Sequence, residues 1–81
     1  MKNASITVAG HDHVGIIASV SQLLSKYGVN IQDISQTVMS EHFTMVMLVD
    51  TEDCTIPLED LKASLKDLGD ELSLTIRMQL K

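Results

Sequence analysis

Between residues 9 and 17 the chain changes its hydrophobic period, and this switch constrains the fold more than any other feature. Before it, residues 2–9 alternate: Ala4, Ile6 and Val8 point one way, Ser5 and Thr7 the other. That is the period of a half-buried strand. After it, Ile16, Ile17, Val20, Leu23, Leu24 and Tyr27 recur at three- and four-residue steps. This stripe predicts an amphipathic helix over about residues 14–27, stopped by Gly28. Between the two lies Gly10-His11-Asp12-His13-Val14-Gly15. A strand that breaks into a helix start leaves unpaired N–H groups at the positive end of the helix dipole, which suits a carboxylate or another small anion. Gly15 lets a ligand or a second chain come close to the backbone. A Gly15→Val change is therefore expected to crowd the loop against the helix start or a partner chain, with lost ligand binding and, if the backbone must move, a stability loss of about 1–3 kcal/mol.

The rest of the chain supplies three more strands and a second helix. Residues 30–41 and 43–50 read as strands joined by a tight hairpin at Ser40-Glu41-His42. Ile31 and Ile34 do not share one alternation, which predicts a bulge near Gln32-Asp33. In the third strand Phe43, Met45, Met47 and Val49 share one face, and Val46 and Leu48 the other. Such a strand is covered on both faces or lies central in its sheet. Residues 51–55 form a polar, acidic loop, and Pro57 opens a helix with Leu58, Leu61, Leu65 and Leu68 as its buried stripe. Gly69 is expected to end it, after which Leu72, Leu74, Ile76, Met78 and Leu80 alternate as a last strand. The order β-α-β-β-α-β predicts an α+β, ferredoxin-like sandwich: a four-stranded antiparallel sheet with both helices on one face. The expectation is one domain over residues 1–81.

Many functions share that architecture, so residue chemistry must decide among them. The net charge is −5, with eight acids against two lysines between residues 50 and 71. Such a surface repels nucleic-acid phosphates. A base-stacking sheet would also need aromatics, and the chain has one Phe and one Tyr. No apolar run approaches the roughly 18 residues a membrane span requires. The N-terminus shows no signal segment, and Cys54 is the only cysteine, which fits a reducing cytoplasm. His11, Asp12 and His13 read as exposed loop side chains or as metal ligands assisted by His42 or Cys54. Asp12 beside His13 is the only acid–base pair near the loop, and adjacent residues rarely orient one another, so no catalysis and no cofactor are expected.

The combination Gly10-His11-Asp12-His13-Val14-Gly15-Ile16-Ile17, Leu23-Leu24 and Tyr27-Gly28-Val29-Asn30-Ile31 resembles an ACT domain. Val14 stands where that family commonly has Pro. The run from Asn30 to Val38, followed by Phe43-Thr44-Met45, is similar to small stand-alone bacterial and archaeal ACT proteins. It is also similar to the ACT modules of the glycine cleavage system transcriptional repressor. The resemblance implies an amino acid or other small effector bound between two subunits. The first loop of one chain would face the start of the second strand of its neighbour. In serine-sensing members, loop side chains and the Asn of Gly-x-Asn-Ile hold the effector. Asn30 matches that Asn; Asp12 replaces the loop Asn, and Gly10 replaces a loop His. An Asp attracts an ammonium and repels a carboxylate. An Asn just after a helix stop is also suited to capping the turn.

The candidate ligand site is thus His11, Asp12, His13, Val14, Gly15 and Ile16 from the loop, with Asn30 and Ile31. The expected protein is a cytoplasmic, stand-alone, non-catalytic regulatory domain. Its partners would be a small-molecule effector, further copies of itself as a dimer or tetramer, and a regulatory protein, with neither nucleic acid nor membrane. The alternative is a dimerisation or protein-interaction module without ligand.

Overall fold

A computed structural model describes residues 2–80; residues 1 and 81 lie outside it. The elements run β1 (Asn3–His11), α1 (Ile16–Lys26), β2 (Asn30–Met39), β3 (His42–Asp50), α2 (Leu58–Leu72) and β4 (Leu74–Leu80). The strands pair antiparallel in the order β2-β3-β1-β4. Alternation puts Ile6 and Val8 of β1 and Met45 and Met47 of β3 on one face, all fully buried. Val20 and Leu24 of α1 and Leu61 and Leu65 of α2 join them in one core. The predicted ferredoxin-like sandwich is the observed fold.

β3 is an inner strand, which accounts for its apolar character. Its second face stays open: Val46 is 40% exposed and Leu48 36%. The bulge falls where the alternation slips, between Ile31 and Asp33. Its consequence is specific. Beyond it Ile34, Gln36 and Val38 lie opposite Met47, Met45 and Phe43, so they face the helix side of the sheet. The helices do not reach that far. Ile34 remains 40% exposed and Val38 50%.

Several boundaries depart from the periodicity; β2 ends at Met39, short of residue 41, and His42 opens β3. β1 continues through Gly10 to His11, which pairs with His42, so His11 is a strand residue and not a loop residue. α1 begins at Ile16, later than residue 14, because Gly15 takes a positive φ of 91°. α2 runs through Gly69 to Leu72 and ends on Ser73 at φ 60°, so Leu72 belongs to the helix. Gly69 is there for closeness. A Cβ on it would meet the Leu74 carbonyl oxygen at 2.7 Å and the Ile76 side chain at 3.2 Å. The glycine lets α2 press directly on β4.

Gly69→Ala tests that contact. Alanine adds about 1 kcal/mol of helix propensity, whereas forcing a methyl against backbone costs about 1–3 kcal/mol. The variant should lose about 1 kcal/mol net, lowering the melting temperature by about 4–8 °C in calorimetry. An unchanged or higher melting temperature would show that helix and strand separate without cost.

Candidate functional site

The turn after β1 is held from two sides. The Asp12 N–H donates to the Glu41 carbonyl at 2.7 Å, tying the turn to the β2–β3 hairpin. The His13 ring lies 3.2 Å through Nε2 from the Leu72 carbonyl, in the last turn of α2. Its Nδ1 lies 3.2 Å from the Val14 carbonyl. Both ring nitrogens thus lie near backbone carbonyls, and a neutral ring can donate to one of them. The contact with Leu72 gives His13 a bracing role between the loop and α2. Val14 stands at the tip, fully exposed.

The start of α1 is bare. No side chain caps it, and its first turn carries no acid. The first helical hydrogen bond is Ser19 N–H to the Gly15 carbonyl, 2.9 Å. The amides of Ile16, Ile17 and Ala18 therefore precede the intrahelical ladder. These three residues, with Asp12, His13 and Gly15, border a hollow of about 370 Å³ closed on its far side by Gln36, Val38 and Phe43. Bare amides and a helix dipole on one wall, a carboxylate and an amide side chain on others, and an apolar floor suit a small zwitterion.

The residues singled out from sequence divide among three places. Asp12, His13, Gly15 and Ile16 share the hollow. His11 lies apart from it, in a depression with Met39 and His42, and its Nε2 is 4.0 Å from a Glu41 carboxylate oxygen. Asn30 and Ile31 border a third depression with Ser21 and Ser25 of α1. Val14 lines none of these three. Asn30 is about 25 Å along β2 from Val38, too far for one small molecule to touch both within a chain. Its amide makes no hydrogen bond among the described residues, so it does not cap the turn. No group of three or more His, Cys, Asp or Glu suited to a metal ion occurs among the described residues. No described helix is long and apolar enough to cross a membrane.

Sequence reasoning missed Ile17, Ala18, Gln36, Val38 and Phe43 as lining. The signal for Gln36 and Val38 was present, because the bulge turns them toward the helix face. The reading of Gly15 also changes. Apart from its two chain neighbours, no described residue lies within 4 Å of a Cβ built on it, so within the chain the constraint is the backbone conformation. Glycine is needed because φ is 91°.

Gly15→Ala should therefore lose about 1–2 kcal/mol, the cost of a left-handed residue with a Cβ. Gly15→Asn should lose less, since Asn tolerates that region. Urea unfolding of both variants checks the order; equal losses would point to a clash instead.

A family model described as "ACT domain" matches residues 4–79. The chain is 46% identical over 76 residues to a UPF0237 protein of Clostridium acetobutylicum, covering 94% of this chain and 85% of that one. Among solved structures it is similar to an ACT domain protein from Streptococcus pneumoniae. That match has a TM-score of 0.85 and 38% identity, over 98% of this chain and 89% of the other. A putative glycine cleavage system transcriptional repressor matches at a TM-score of 0.84 and 26% identity, over 99% of this chain and 46% of that one. The matched residues and the fold agree: the chain belongs to the ACT-domain family.

Proposed function

We propose that this domain is a non-catalytic regulatory module that binds a small effector, an amino acid, at an interface between two copies. It then passes the bound state to a partner protein. The observation that carries the reading is the hollow between the bare start of α1 and β2. An effector carboxylate would sit on the amides of Ile16, Ile17 and Ala18. Asp12 would take the ammonium, and Gln36 would hydrogen-bond either group. Val38 and Phe43 would form the apolar wall.

The second copy enters through β2, an edge strand. Ile34 and Val38 of β2, Ile17 next to Val38 and Val14 at the loop tip are exposed apolar residues. Exposed edges and apolar residues of this kind favour association. A second chain running antiparallel along β2, with its twofold axis near Ile34, would bring its Asn30 to the Val38 end. The loop of one copy and the Asn30 of the other would then share one site. A copy-to-copy contact without ligand is the alternative that the same apolar residues support.

Sedimentation and thermal melting with a panel of amino acids separate the two. If only the assembled form presents both halves, ligand must favour assembly. At roughly 100 times its dissociation constant it should add about 2.7 kcal/mol per site. Asn30→Ala should remove most of that rise, because a hydrogen bond to a charged group is worth about 1.5–3 kcal/mol. Assembly with no response to any amino acid would favour the plain interaction module. A ligand that binds monomer and dimer equally would remove the shared site.

A further inference from the structure

Another hollow lies at the opposite edge of the sheet. It measures about 690 Å³ and is lined by the unbroken run 74–79 of β4, by Ser5 and Thr7 of β1, and by Lys62, Lys66 and Asp70 of α2. Alternate strand residues point to opposite faces, so six in a row can border one hollow only where the backbone edge is its wall. β4 has no strand beyond it among the described residues. Its outer row of N–H and C=O groups is a template for another strand.

The lining of this hollow is net basic, unlike the chain as a whole. The net charge is −5, yet three of the six Lys and Arg residues, Lys62, Lys66 and Arg77, line the hollow. They flank the edge from both sides. Arg77 alternates with the buried Ile76 and Met78 and so projects on the open face, whereas Lys62 and Lys66 reach it from the helix layer. Asp70 pairs with Lys66 at 3.4 Å. Gly69 lies against Leu74, so Asp70 is at the Leu74 end. Lys62 lies about 12 Å back along the helix, toward the Leu80 end.

We propose that the β4 edge binds an extended acidic segment of a partner protein as a fifth strand. Backbone hydrogen bonds to β4 would supply affinity, and the three cations would supply selection. A strand added there presents successive residues to opposite faces. One acid would meet Arg77 and its immediate neighbours would meet Lys62 and Lys66. The preferred segment therefore carries acids at consecutive positions, not alternate ones. They lie toward the Leu80 half of β4, away from Asp70. A second copy is a poor occupant. Arg77 is the midpoint of β4, so a twofold β4–β4 pairing centred there would set Arg77 against its own copy. This surface does not depend on the effector reading, because it lies on the other edge of the sheet.

The test uses the full chain, isotope-labelled, and an end-blocked eight-residue peptide of Thr and Val with three consecutive Glu at its centre. Amide shifts in the two-dimensional NMR spectrum should map to residues 74–80 and weaken as salt is raised. The same peptide with Gln for Glu should bind at least tenfold more weakly. K62E with R77E should abolish the shifts while melting like wild type. If that variant unfolds, the wild-type map and the Glu-to-Gln ratio decide alone. Shifts confined to β2, no shifts at about 1 mM peptide, or equal binding of the Gln peptide would overturn the proposal. So would citrate giving the same shifts at the same concentration, which would mark a small-anion site instead.

Discussion

The contact between Gly69 and the start of β4 governs how the helical layer sits on the sheet. A Cβ on Gly69 would lie 2.7 Å from the Leu74 carbonyl oxygen, so its absence lets the α2 backbone press on the start of β4. Drawn in this way, α2 covers β4 and the inner strands, and Leu61 and Leu65 close the core over Ile6, Val8, Met45 and Met47. α1 packs alongside it. The layer is therefore displaced toward β4, and Ile34 and Val38 on the far strand stay half uncovered although they face the helix side. A single close approach at one edge thus leaves an apolar band and a hollow at the other.

Most of the architecture was legible in the sequence because it is periodic. A period of two against a period of 3.6 gave the order of all six elements, and the inward residues of β1 and β3 were readable as core. Termini were less readable, since they depend on pairing partners and close approaches that no local window contains. Gly69 illustrates this. In sequence a glycine after a leucine stripe reads as a helix stop; in space it is a contact surface. His11 illustrates the converse, a polar residue after a glycine that reads as loop but pairs with His42 as strand.

The candidate site was legible only in part, for the same reason. Asp12, His13, Gly15 and Ile16 are contiguous with the period switch, and they share the hollow. Gln36, Val38 and Phe43 come from strands about twenty residues on. Their position follows from the bulge at Gln32, which moves every later residue of β2 to the other face. The slip between Ile31 and Ile34 contained that information, but its use required knowing which face the helices cover. The separation of Asn30 from the loop follows from strand length alone. It makes a site using both residues a matter of two chains.

The two edges of this sheet differ in a way that suggests how assembly and partner binding are connected. β2 carries one charge, Asp33, and an exposed apolar band. β4 is flanked by Lys62, Lys66 and Arg77. Edge strands resist indiscriminate pairing when charged, so copies joining through β2 would leave β4 free in each. An effector that favours assembly then raises the number of basic edges held in one particle. A partner with two acidic segments gains effective concentration at the second edge once the first is engaged, without any change of shape in the domain. On this reading no conformational signal has to cross the sheet. The rigidity of four paired strands, with β1 and β3 between the two edges, is compatible with such a role, in which information would be carried by how many copies are joined.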